Sequence, residues 1–186
     1  MGSLDRRQFL VGTAGGAVRG RVLVPSGSAA LVYNTRFDGR RPDAVVQVRD
    51  TADVVAAIRW ANRFDVRLVA RSGGHSYAGY STTNDGVVLD LSRLRGIRVS
   101  GGRATIGPAA ILIDVQRALT RRGVTVPSGS CPTVGLGGLA LGGGHGLAGR
   151  RFGLTSDNLL AARIVTADGS VRHVDADTHE DLYWAC

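Results

Sequence analysis

Between Pro127 and Arg151 the chain reads Pro-Ser-Gly-Ser-Cys-Pro-Thr-Val-Gly-Leu-Gly-Gly-Leu-Ala-Leu-Gly-Gly-Gly-His-Gly-Leu-Ala-Gly-Arg-Arg, and eight of the fifteen residues from Gly135 to Gly149 are glycine. Glycine at that density is costly in backbone entropy, so it belongs where the chain turns with positive φ or lets a ligand approach the main chain. A flexible linker is the plain alternative, but linkers are polar and Ser-rich. Val134, Leu136, Leu139, Leu141 and Leu147 punctuate this stretch instead. The expectation is a ligand cradle in which bare amides form an electropositive nest, with Cys131 at its entrance.

Composition narrows what such a cradle can serve. The 186 residues suffice for one good-sized domain with a possible tail. All 23 basic residues are arginine, so a P-loop lysine, a Schiff-base lysine and a lysine general base are excluded. The net charge of +8 points to nucleic acid only if the arginines cluster among aromatic platforms. They are scattered, in pairs at most, and nucleic-acid binding is not expected. Two cysteines are too few for a disulfide framework, and no Cys/His spacing matches a metal site. No apolar run reaches the roughly 18 residues of a membrane span.

At the N-terminus Asp5-Arg6-Arg7-Gln8-Phe9-Leu10 resembles a twin-arginine export signal, followed by small apolar residues to Val18. Arg19 and Arg21 end that run early, and a disordered basic tail is the alternative. Residues 1–24 are read as leader or tail, with export from a bacterium expected if the signal works and a cytoplasmic protein if it does not. Residues 25–186 are read as the domain.

The elements along it are mixed. Strands are expected at 44–49, 67–71, 87–91 and 124–126, with hairpins over 97–106 and 160–174, turned at Gly101-Gly102 and Asp168-Gly169. Helices are expected from Asp50 or Thr51 to Phe64 with Val54, Ile58 and Ala61 on one face, over 111–122, and from Thr178 to Ala185. The chain stops within that last helix.

Two motifs carry chemistry. Gly144-His145-Gly146-Leu147-Ala148-Gly149 is a literal G-x-G-x-x-G, but it lacks the strand before and helix after that a nicotinamide site needs. Arg71-Ser72-Gly73-Gly74-His75-Ser76 is sharper: a strand ends, two glycines turn the backbone, and a histidine is presented among hydroxyls. A histidine merely hydrogen-bonded to its loop is the bland reading. A nucleophile elbow is absent, because Gly74-His75-Ser76-Tyr77-Ala78 ends in alanine.

Taken together, Arg71 to Tyr77, Gly129 to Gly135, Gly138 to Gly149, Arg151-Phe152-Gly153-Leu154 and Asp157-Asn158-Leu159 resemble the FAD-binding domain of the berberine bridge enzyme-like oxidases. These belong to the vanillyl-alcohol oxidase (PCMH-type) flavoprotein superfamily. The resemblance covers about Ala44 to Cys186. It implies an α+β fold, a PCMH-type FAD-binding domain of two small α/β subdomains with FAD between them, incomplete before the substrate domain. His75 matches the histidine that bonds to the flavin 8α-methyl, and Cys131 the cysteine that attaches to flavin C6, so the implied cofactor is bicovalent FAD. Cofactor contacts are implied for Arg71, Ser72, Gly73, Gly74, Ser76, Tyr77, Ser130, Thr133, Val134, Gly135, Gly138, Gly142, Gly143, Gly144, Gly146, Ile164 and Val165. His145 is read as pocket lining, and His173 and His179 as surface residues. No catalytic residue and no metal ligand is identified.

The implied activity is oxidation of an alcohol or C–H bond by hydride transfer to flavin N5. Dioxygen reoxidises the flavin to give hydrogen peroxide, so a small-molecule substrate and O2 are the expected partners. Family members continue well beyond this length, which suits a fragment inactive by itself. The rival is a non-catalytic flavin-binding remnant.

Overall fold

The computed structural model describes residues 18–23 and 29–186. The chain forms two compact units. One comprises the described residues up to Arg93 together with Val165–Ser170; the other comprises Leu94–Ile164 and Val171–Cys186. The α+β class holds.

The first unit is built on a four-stranded sheet in the order β1-β2-β4-β3, from β1 (Arg21–Leu23), β2 (Ala44–Gln47), β3 (Leu68–Arg71) and β4 (Val87–Asp90). β1 runs antiparallel to β2, and β2 and β3 run parallel to β4. The apolar stretches Ala44-Val45-Val46 and Val87-Val88-Leu89 are buried throughout, as continuous apolar strands in a parallel sheet require. Helix α1 (Thr51–Arg63) links β2 to β3; β4 then inserts between them, so the β-α-β unit is split by a strand. Asp50 caps α1 by accepting the Asp53 N–H. The buried face is Asp53, Ala57, Trp60 and Ala61, one position away from the Val54 and Ile58 stripe expected. Apolar periodicity alone did not fix it, because Trp60 goes inward and Asp53 is drawn in by backbone partners. Asp53 accepts the N–H of Arg19 at 2.8 Å and of Arg49 at 2.9 Å.

That clamp corrects the domain boundary. Val18 is buried and Arg21–Leu23 pair with β2, so Arg21–Leu23 belong to the sheet, although the sequence places them with a leader or tail. The twin-arginine motif itself lies outside the described residues. The lead-in from Ala29 to Arg41 is ordered: Asn34 caps a 3-10 turn over Thr35–Phe37.

In the second unit, β5 (Ile97–Ser100) and β6 (Arg103–Ile106) form the expected hairpin. Helix α2 (Leu112–Thr120) buries Leu112, Val115 and Leu119. Ala110, Val115 and Leu119 form a core against Ile97, Val99, Ile106 and Val126. The strand expected at 124–126 is not one: that segment is unpaired with other strands and is latched instead by the Gln116 amide, which donates to the Val126 carbonyl and Ser128 hydroxyl. Strands β7 (Ala161–Val165) and β8 (Val171–Asp175) pair, and the chain ends through α5 (Glu180–Trp184). Two helical segments inside the glycine stretch have no counterpart among the expected elements: α3 (Leu136–Leu141) and α4 (Gly149–Phe152).

Candidate functional site

In the first unit the candidate residues follow β3 directly. Arg71 closes that strand, in register with Asp90 of β4. Its guanidinium pairs with the Asp90 carboxylate at 2.7 Å, the two side chains being only 10% and 14% exposed. It also donates to the carbonyls of Ala29 and Leu31. Burial pushes the Asp90 carboxyl up, but the hydrogen bonds from Ser92 and Arg71 outweigh it and hold the group below the ordinary carboxylate range. Arg71, for which the resemblance implies a cofactor contact, ties two strand ends to the lead-in through its side chain.

Beyond Arg71 the chain bends through Ser72, Gly73 and Gly74. Gly74 has φ of 73°, a conformation a side chain would strain. Among the described residues the amides of Gly73, Gly74 and Ser76 donate to no protein acceptor. The Ser76 hydroxyl accepts the N–H of Tyr80, closing the turn behind it, while Tyr77 is 87% exposed. His75 is half-buried, and burial lowers its pKa from the ordinary histidine value. Its imidazole stacks on the Tyr33 ring, centroids 4.0 Å apart and planes 19° off parallel. Tyr33 is the residue that sequence reasoning missed: it stands 42 positions away in a segment without periodicity, and nothing local pairs it with His75.

In the second unit, Ser130, Cys131 and Thr133 are exposed and Val134 half-buried. Cys131 is a free thiol. Its loop is held against the start of α2, where Ile113 and Leu112 donate their amides to the carbonyls of Pro132 and Val134. The glycine stretch that follows is less of a cradle than expected. Gly135 is the N-cap of α3. The first amides of that helix are spent on protein, Leu136 donating to Ala110 and Gly137 to Pro108. Gly144 accepts the amide and hydroxyl of buried Thr155; a Cβ there would strike the Thr155 side chain, and on Gly146 it would fall inside the Ser128 carbonyl. These two glycines answer to close packing, as does Gly143, whose carbonyl accepts from Ser156. Gly138 differs, since a Cβ there meets nothing within 4 Å. Gly142, at the C-cap of α3, is likewise exposed.

Ile164 and Val165 lie half-buried on β7. His145 and His179 are exposed, and His173 pairs with Asp175 at 3.1 Å. The G-x-G-x-x-G at 144–149 has no strand before it and only four helical residues after. Among the described residues no group of His, Cys, Asp and Glu is placed to hold a metal, and no helix is long and apolar enough to cross a membrane.

A flavin dinucleotide needs donors for its diphosphate and a close approach for its ring. The bend offers the amides of Gly73, Gly74 and Ser76 beside a half-buried imidazole, and Gly138 offers backbone without a covering side chain. In the first unit the residues of that bend fit the group, and in the second the backbone at Gly138 leaves room for it.

The chain is similar to known proteins in sequence and fold. The FAD binding domain family matches residues 42–175. The chain is 36% identical to (R)-6-hydroxynicotine oxidase of Paenarthrobacter nicotinovorans over 174 residues, 91% of this chain and 38% of that protein. It superposes on Physcomitrella patens BBE-like 1 with a TM-score of 0.88 at 36% identity, covering 94% of this chain and 40% of the other. It superposes on the glucooligosaccharide oxidase of Acremonium strictum, whose FAD is described as 6-S-cysteinyl, 8α-N1-histidyl, with a TM-score of 0.85 at 31% identity, covering 97% and 39%. The chain therefore spans about two-fifths of the length of these relatives. It belongs to the FAD binding domain family, among the berberine bridge enzyme-like and other FAD-linked oxidoreductases and oxidases.

Proposed function

We propose that the chain is the FAD-binding part of an oxidoreductase whose flavin is tethered twice, through a ring nitrogen of His75 and the sulfur of Cys131. The observation that carries this is the bend after Arg71, where the amides of Gly73, Gly74 and Ser76 donate to no protein acceptor beside an imidazole whose burial favours its neutral form. A neutral imidazole has the lone pair that a protonated one lacks. When bound, the flavin supplies the hydride acceptor for oxidising an alcohol or C–H substrate, with dioxygen reduced to hydrogen peroxide. At His75 a C–H of the 8α-methyl and the imidazole N–H are replaced by a C–N bond. At Cys131 the flavin C6–H and the thiol S–H are replaced by a C–S bond. Each attachment releases two electrons and two protons, which one dioxygen takes up as hydrogen peroxide.

The test is to incubate the chain with FAD, denature it in acid and follow the flavin by mass and absorbance. Wild type is expected to retain it, His75→Ala and Cys131→Ala each to retain it through the surviving bond, and the double variant to release it. If Cys131→Ala leaves the flavin spectrum as in wild type, Cys131 is only a nearby thiol and the second tether is wrong.

A second reading is a flavin-binding chain without turnover. Substrate-dependent peroxide release by the purified chain decides against it. Export is also proposed, on the motif Asp5-Arg6-Arg7-Gln8-Phe9-Leu10. The protein is expected outside the cytoplasm of its native cell, and Arg6→Lys with Arg7→Lys should retain it inside; equal distribution of both forms overturns export by this route.

A further inference from the structure

Tyr33 is 64% exposed, yet its backbone is fixed on both sides. Its N–H donates to the Gly74 carbonyl at 3.1 Å. Two residues earlier the Leu31 carbonyl accepts from Arg71, which also holds Ala29 and is itself anchored on Asp90. One residue later Asn34 caps the 3-10 turn. A Val32 methyl lies 3.7 Å from where a Cβ on Gly74 would be, at van der Waals distance. Both the strand end and the glycine bend therefore grip this segment, and the outcome is a phenol ring laid flat on His75. Burial of Tyr33 does not account for that, since most of its surface stays in water.

From this geometry we infer that Tyr33 is a positioning residue for His75, fixing the plane of the imidazole so that a ring-edge nitrogen faces the flavin methyl it attacks. The inference rests on the His75 tether proposed above. A face-to-face stack restricts rotation of the ring about its Cβ–Cγ bond. It covers a ring face and not the ring edge, because the nitrogens' bonds and lone pair lie in the ring plane. It also shields one face of the imidazole from water, in keeping with the lowered proton affinity of His75. Bond formation itself is unchanged: C–H and N–H give C–N, and dioxygen leaves as hydrogen peroxide. Tyr33 contributes orientation only, and its hydroxyl takes no part.

The experiment uses the chain as wild type, Tyr33→Phe and Tyr33→Leu. The His75 ring-proton shifts are recorded by NMR at pH 8 without flavin, and the rate of acid-stable flavin attachment, measured with FAD in Cys131→Ala backgrounds, isolates the His75 bond. Tyr33→Phe is expected to keep the upfield ring-current shift and the wild-type rate. Tyr33→Leu is expected to lose the shift and attach roughly tenfold more slowly, as removal of an aromatic pair implies, while remaining folded. A rate for Tyr33→Leu equal to wild type overturns this role while leaving the tether intact. A wild type that forms no acid-stable adduct overturns the tether and this role together. A His75 signal without ring-current shift in wild type overturns the stack in solution.

Discussion

Two glycine-bearing turns carry the candidate residues, and they use glycine for opposite purposes. In the bend at 72–76, Gly73 and Gly74 turn the chain and leave their amides unspent. In the stretch from 135 to 149, Gly144 and Gly146 sit where any side chain would collide with Thr155 or Ser128. The first turn is open and is secured from behind by a charged pair. The second is closed by its own backbone and stays open chiefly at Gly138. A high density of glycine therefore does not by itself mark a binding surface; what each missing Cβ faces decides.

The largest expected effect comes from filling the closed turn. Gly146→Ala places a methyl group inside a backbone carbonyl that cannot move away cheaply, and a loss of more than about 4 kcal/mol is expected, enough to leave no folded second unit. Loss of hydrogen-exchange protection over 136–141 is the check; retained protection would mean the stretch adapts and the contrast is false.

The charged anchor of the open turn comes next. Arg71→Ala leaves the Asp90 carboxylate buried without its partner, at a cost of about 3 kcal/mol, read as a lower urea midpoint from the fluorescence of buried Trp60. The variant should also lose the ring-current shift of His75, because the lead-in bearing Tyr33 loses its grip. An unaltered shift would separate the anchor from the site.

Acid probes the same pair more gently. The folded-state pKa of Asp90 is depressed below the unfolded value of about 3.9. Its contribution is therefore complete above the unfolded pKa and is lost as pH falls through the folded one. Wild type should lose stability over that acid range, and Asp90→Asn should show a flatter dependence; parallel curves for the two would discount the pair.

The smallest expected effect is at the open position. Gly138→Ala meets no atom and replaces glycine within α3, so the fold should gain up to about 1 kcal/mol. If the uncovered backbone faces the flavin, the same change should weaken FAD binding, measured by fluorescence quenching. Unchanged affinity would remove Gly138 from the site.

Much of the fold and of the candidate site is legible in the amino-acid sequence. The strand end at 71, the capped helix after Asp50 and both hairpins follow from local signals: apolar runs, caps and two-residue turns; the roles read for His75 and Cys131 rest on the family resemblance. Local signals fail where the partner is distant. Arg21–Leu23 resemble the end of a leader because what makes them a strand is β2, more than twenty residues on. The partners of the Arg71 side chain, Asp90 and the carbonyls at 29 and 31, come to it only in the folded chain. The stack of Tyr33 on His75 likewise joins residues with no shared periodicity. Residue types and their spacing determined that the chain presents a histidine and a cysteine from two glycine-bearing turns. Which glycines are packed, which amides stay unspent and what holds the histidine ring were decided by tertiary structure, since each depends on atoms brought together only when loop-closure entropy has been overcome.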